Sequence, residues 1–343
     1  MTTFLSALDQ KIYREEDTET TELNKISDED SKQLFELFYD KIKCRDSEGM
    51  IELLRAMLHQ YKNTIDINRN KNLEYISDLF CLIEYTRDIL YGEGQYKLAY
   101  DLILGLYEFF PNLALYAAET FVIMPDKSIP YGSWKDMKYL SRYVLINTSN
   151  IQHPIIKHCV KLIVFALKKD QEALKEKSNK ISLVSKWCPR EKSSYKVFHR
   201  LIVREMYSEY FDTAHTEKME HKAYLKACTN LRKLLSSLNK YLDTLEIKMC
   251  DKKGEWSNID FNKVSYSAKK KYKSAFKKRT NTDRTICANN FEKYTENKKE
   301  IYENEPQEQN YEGVINNVRY MKVKNIVKNY LQSQFLDPLR ASE

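Results

Sequence analysis

Glycine and proline are scarce in this chain, seven of each among 343 residues, where globular proteins average ~7% and ~5%. So few turn-formers and breakers leave helix as the natural state of most segments. No cysteine pair has the C-x-x-C spacing. The seven thiols, Cys44, Cys81, Cys159, Cys188, Cys228, Cys250 and Cys287, are scattered singly, which fits free thiols in a reducing compartment. No uninterrupted apolar run is long enough to cross a membrane. The most hydrophobic window, Leu102 to Met124, is broken by Glu108, Pro111, Asn112 and Glu119, the signature of buried helices rather than a span. The N-terminal "MTTFLSALDQKIYREE" lacks the apolar core of a secretory signal. The expectation is a soluble cytoplasmic protein, in a host cytoplasm or a virion if the source is viral.

Motifs of enzymes are missing as well. There is no G-x-x-x-x-G-K-[ST] loop, no G-x-G-x-x-G, no H-E-x-x-H and no G-x-S-x-G, so no nucleotide-hydrolysing, dinucleotide-binding, zinc-protease or serine-hydrolase chemistry is predicted. Glu205, Glu209 and Asp212 are expected to share one helix face beside Arg204, as a surface ion-pair cluster. Cys188, next to Pro189, is expected to be packed rather than nucleophilic. The segment "HPIIKHC" offers His153, His158 and Cys159, with His215 and His221 further on. A spacing of five between the first two histidines does not align both rings on one helical face, so no metal site is predicted. No cofactor and no small-molecule substrate are expected, and the protein is read as not an enzyme.

What is present is a large apolar and aromatic complement: 42% hydrophobic residues, with 25 Tyr and 14 Phe. This predicts a folded chain despite 31% charged residues. Apolar residues recur at spacings of three and four through at least nine segments. The fold class predicted is all-α, a HEAT-like α-solenoid or irregular helical stack, with a non-helical insertion near 245–262 read as a short hairpin around Gly254 or an irregular crossover. The boundaries predicted are an acidic flexible arm over 1–30, a helical domain over 31–290, and a polar linker with a C-terminal helix over 291–343. Residues 172–188 and 194–211 are each read as one helix.

Two junctions stand out in a chain so poor in breakers. In "LYGEGQY", Gly92 and Gly94 are placed at a helix C-cap and a turn. In "MPDKSIPYGSWKDMKYL", Gly132 belongs to the turn, Ser133 is the predicted N-cap, and Asp136 supplies the third position of a capping box. Trp134, Met137, Leu140 and Val144 then define one face, with Trp134 expected to be buried.

Charge is distributed unevenly. The first 30 residues hold nine acids against three bases. Residues 263–284 hold nine bases against one acid, and residues 168–200 hold ten bases against four acids. These are the footprints a polyanion uses. Lys186, Arg190 and Lys192 flank Trp187 in sequence; Lys269, Lys270, Lys273, Lys277, Lys278 and Arg279 surround Tyr272 and Phe276. Lysines neutralise phosphates and aromatic rings stack on unpaired bases, so these residues form the predicted RNA-binding set. The rival expectations are a protein-interaction scaffold and a virion component.

Four segments, "YTRDILYGEGQYKLAYDLI", "YGSWKDMKYL", "SLVSKWCPRE" and "NLRKLLSSLNKYLDTLEIKMCDKKGEWSNIDFNKVSYSAKKKYKSAF", occur in an order that resembles an uncharacterised family of large proteins from plants, protists and giant DNA viruses. That family is similar, at a distance, to the TROVE module of Ro-type ribonucleoproteins. Gly92, Gly94, Gly132, Ser133, Trp134, Asp136, Trp187 and Trp256 carry the likeness. The resemblance implies a HEAT-like helical module, commonly followed by a von Willebrand A-type domain with a metal-ion-dependent adhesion site. No D-x-S-x-S motif occurs here, so that domain and its metal are expected to be absent. The acidic "LYGEGQY" and the proline-free "KVSYSA" depart from the family pattern, as in a shortened, divergent viral copy.

Overall fold

The computed structural model describes residues 28–45, 49–65, 69–178, 180–249, 255–262, 264, 266–297 and 310–336. The fold is an all-α helical stack with no strand among the described residues. The acidic segment up to residue 27, Gly254 and residues 298–309 of the expected polar linker lie outside the described residues. The chain divides into two compact units, one formed by residues up to Ala117 with those after Glu308, the other by Ala118–Glu308. The boundaries read from the sequence had kept the C-terminal helix apart.

The first unit contains α1 (Asp28–Lys43), α2 (Met50–Asn63), α3 (Arg69–Arg87), α4 (Tyr96–Phe109), most of α5 (Pro111–Thr120), α15 (Tyr311–Ile315) and α16 (Val318–Leu336). Helix α3 is its axis, buried almost all round from Asn72 to Arg87. A helix so enclosed must satisfy its polar groups internally. Ser77 and Thr86 donate to the carbonyls of Leu73 and Leu82 at 2.7 and 2.8 Å. Asp78 meets Lys324 of α16 at 2.5 Å, and Glu74 meets Lys328 at 3.4 Å. At the other end Arg319 and Tyr320 reach Asp88. The rising order on one helix matches the falling order on the other, so α16 runs antiparallel along α3. Rings of Phe35, Tyr61, Tyr75 and Tyr311 pack at 5.0–6.5 Å across α1, α2, α3 and α15.

Burial pushes the Asp78 carboxyl up to about 6 from 3.8, partly offset by the Lys324 ammonium. Its folded value lies above the unfolded one, so its contribution to stability is full below about pH 4 and lost as pH rises through about 6. Lys324→Met removes the compensating charge and is expected to cost about 3 kcal/mol at neutral pH. The Asp78 value should then rise further, making the loss smaller at pH 5 than at pH 8. Urea melts of both proteins at the two pH values measure this; a cost that does not change with pH would show that Asp78 is not the group left uncompensated.

The second unit starts from α6 (Trp134–Thr148), which packs on α7 (Pro154–Lys175). It continues through α8 (Val184–Trp187), α9 (Lys196–Met206), α10 (Glu209–Asp212), α11 (Glu217–Tyr241), α12 (Leu245–Lys248), a 3-10 turn at Trp256–Asn258, α13 (Tyr266–Phe276) and α14 (Thr282–Asn297). Of the insertion read near 245–262 as a hairpin or an irregular crossover, the described residues form a single helical turn and then the 3-10 turn, with no strand among them; 250–254, and with them the turn at Gly254, lie outside the described residues. Asp283 accepts from the amides of Trp256 at 2.8 Å and Ser257 at 3.0 Å, which fixes that turn on α14.

Several helices differ from the sequence reading. The segment 172–188 is not one helix: α7 absorbs its start and ends before Lys177, which adopts φ 55. The chain then folds back so that Ser182 donates to Asp170 through its amide at 3.0 Å and its hydroxyl at 2.8 Å. The segment 194–211 breaks after Met206, so Glu205 lies on α9 whereas Glu209 and Asp212 lie on α10. His153 caps α7, its Nδ1 accepting from the Ile155 amide at 3.2 Å.

Candidate nucleic-acid interface

The turn before α6 has the predicted design. Asp136 is buried and accepts from the Ser133 amide at 2.7 Å and hydroxyl at 3.0 Å. A Cβ on Gly132 would stand 2.9 Å from both the Asp136 carboxylate and Phe121, so only glycine lets the turn close over its cap. Met137, Leu140 and Val144 are fully buried. Trp134 is not; it is partly exposed at the first position of the helix. The other junction departs further. Helix α3 ends at Arg87, so Gly92 is no C-cap; it folds back until an added Cβ would lie 2.0 Å from the Tyr85 carbonyl oxygen. Gly94 does take a left-handed turn, at φ 64.

Anchored by that cap, α6 presents Lys135, Lys138, Tyr139 and Arg142 at spacings of three and four, hence on one face. Helix α8 and the start of α9 bring Trp187 and Tyr195 against it. The Lys138 ammonium lies 5.0 Å from the Trp187 ring, 5.4 Å from Tyr195 and 5.5 Å from Tyr139. Lys135 stands 5.8 Å from Trp187 and 4.9 Å from Tyr139; Arg142 is 5.6 Å from Tyr195; Lys186 is 5.6 Å from Trp187. All lie within cation–π reach. The three rings are partly exposed, so a ligand can reach them. Burial, then Lys135, Arg190 and Lys271, hold the Lys138 pKa below the ordinary lysine value. No described carboxylate forms an ion pair with Lys138.

The residues predicted from sequence fare unequally. Lys186 joins the cluster and also pairs with Glu246 at 3.2 Å. Arg190 donates to the Ser185 carbonyl at 2.8 Å, and Lys192 is exposed. Lys270 and Lys273 on α13, and Lys277 and Lys278 just after it, are exposed as expected. Lys269 is not a free surface lysine: it donates to the Phe261 carbonyl at 3.1 Å and the Tyr294 hydroxyl at 2.5 Å. Arg279 is engaged by Asn289 at 2.6 Å and Glu292 at 2.8 Å. Phe276 is fully buried and offers no stacking face, while Tyr272 is partly exposed. Trp256 is core, packed at 6.5 Å from Phe276.

Sequence reasoning passed over Lys135, Lys138, Tyr139, Arg142, Tyr195 and Lys271. The K-x-x-K-Y-x-x-R spacing on α6 was a readable signal, masked because its local charge density is ordinary. Cys188 behind the cluster is buried and its thiol is pushed up to about 12 by burial, which leaves it inert. Among the described residues no group of His, Cys, Asp and Glu is arranged to hold a metal ion, and no helix is long and apolar enough to cross a membrane.

Residues 157–301 match the family described as Domain of unknown function (DUF2828). The match lies inside the second unit and includes Lys186, Trp187, Arg190, Tyr195 and Lys271, but not α6. Over 204 residues the chain is 28% identical to an uncharacterized protein of Acanthamoeba polyphaga mimivirus, covering 57% of this chain and 32% of that protein. The chain thus spans about a third of the length of the curated relative it matches. Both likenesses support an uncharacterised family with a giant-virus member. No solved structure matches the chain.

Proposed function

We propose that this protein is a non-catalytic RNA-binding helical protein, and that the basic and aromatic cluster on α6, α8 and α9 receives single-stranded RNA. The observation that carries this reading is Lys138 among Trp187, Tyr139 and Tyr195, with Lys135, Arg142 and Lys186 around the rings. Phosphates would be neutralised by the cations, and unpaired bases would stack on the exposed ring faces. A duplex buries its base faces and gains only the charge term. The four sequence segments resemble an uncharacterised family that is itself only distantly similar to Ro-type modules, which adds support by analogy alone.

Fluorescence anisotropy with a labelled single strand, across a salt series, tests this. Neutralising two cations in Lys135→Gln/Lys138→Gln should reduce the magnitude of the log K against log salt slope by about 1.4, at ~0.7 per phosphate contact. Trp187→Ala should instead weaken binding by about 1–3 kcal/mol and leave the slope unchanged. Affinity unchanged in both variants would remove the cluster from the reading, and no salt-sensitive binding by the natural protein would end it.

One observation favours a scaffold role for the first unit. The loop after α3 exposes Ile89, Leu90 and Tyr91 at 49%, 50% and 65%, although its Leu90 and Tyr91 amides donate to Asp88. Apolar partners bound there would be insensitive to salt, which separates the two roles.

A further inference from the structure

Away from the ring cluster, α9 and α11 face each other across an open cleft of about 700 Å³, within the size range of small-molecule sites. Arg200 and Arg204, four residues apart, form the α9 wall; Glu217, Lys218, Glu220 and Tyr224 belong to the α11 wall. Apolar packing does not close the gap. Helix α9 turns Phe198, Ile202, Val203 and Met206 into the core, and α11 buries no residue before Ala227. An ion pair bridges the walls: Arg204 donates to Glu220 at 2.5 Å, and its guanidinium lies 5.0 Å from the Phe211 ring. That pair spends Glu220. Arg200 and Lys218 are exposed, on opposite walls, with no carboxylate partner among the described residues.

We propose that this cleft binds a nucleoside monophosphate. The Arg200 guanidinium and the Lys218 ammonium bracket the phosphomonoester. The partly exposed Tyr224 ring offers a face to the base. Glu217 decides between this ligand and a bare anion. Its carboxylate repels free phosphate but accepts from the hydroxyls of a ribose. The cleft shares no residue with the ring cluster, so the proposal does not rest on the RNA reading.

Isothermal titration calorimetry of the full chain with adenosine and uridine 5′-monophosphates, the two nucleosides and inorganic phosphate tests it. At least one monophosphate should saturate a single site, its nucleoside and phosphate each binding at least tenfold more weakly. Arg200→Gln and Lys218→Gln should each weaken the monophosphate about tenfold, the effect of one charge-assisted hydrogen bond. Glu217→Ala should weaken it several-fold yet leave phosphate unchanged or tighter, because a repelling charge is gone. All three side chains are exposed, so these variants keep the fold. Lys138→Gln reports whether the nucleotide sits on the ring cluster instead. Affinity lost in that variant and kept in Arg200→Gln would overturn the proposal. So would phosphate binding as tightly as the monophosphates, which leaves an anion site only, or no saturable binding of either monophosphate.

Discussion

Asp88→Ala is expected to destabilise the first unit by about 4–5 kcal/mol, near the top of the range for breaking a buried ion pair. Asp88 is fully buried. One carboxylate oxygen accepts from the Leu90 amide at 3.0 Å, the Tyr91 amide at 3.4 Å and the Arg319 guanidinium at 2.9 Å. The other accepts from Arg319 Nε and, at 3.1 Å, from the Tyr320 hydroxyl. The alanine variant would take the compensating charge from a mostly buried guanidinium and an acceptor from a buried hydroxyl together, and it would release the loop whose amides the carboxylate turns. Asp88→Asn keeps one acceptor and the shape, so it should cost less. Urea denaturation of the three proteins measures the series. An alanine variant within about 1 kcal/mol of the natural protein would mean that the pair behaves as a surface bridge and does not anchor α16.

Phe276→Ala should cost about 4–5 kcal/mol, the upper part of the range for deleting a buried phenylalanine. Phe276 lies at the centre of a separate aromatic core in the second unit, 5.0 Å from Phe261, 5.3 Å from Phe291, 6.2 Å from Tyr272 and 6.5 Å from Trp256. Cys287 and Ile259 complete that core. It is small, so a cavity at its centre has little around it that can collapse inward. Hydrogen exchange should show protection lost first across 255–297, ahead of α6 and α7, because no residue of those helices is part of this aromatic core. Phe276→Leu preserves most of the volume and should cost less than ~1.5 kcal/mol. Equal loss of protection throughout the unit would show that the two cores unfold as one.

The candidate site illustrates where charge counting in a sequence succeeds and where it misleads. The run 263–284 is the densest positive stretch, yet Lys269 and Arg279 are spent on Tyr294, Phe261, Asn289 and Glu292. On a helix packed by one face, the positions beside the buried stripe turn long lysine stems inward, and the one-dimensional charge count does not know where that stripe's edge falls. Lys135 and Lys138 come from an unremarkable segment, and they gain significance only because α8 and α9 bring Trp187 and Tyr195 over them.

By itself the sequence determined the helical class, most of the helix starts and the capped turn at Gly132, Ser133 and Asp136, because helix periodicity and capping involve residues only a few positions apart. Tertiary structure alone decided that α16 returns to pair with α3 across more than two hundred residues, that α13 spends part of its charge inward, and that Lys138 sits among three rings. Those outcomes depend on which buried faces meet, and a helical sequence specifies its apolar face without specifying the partner that covers it.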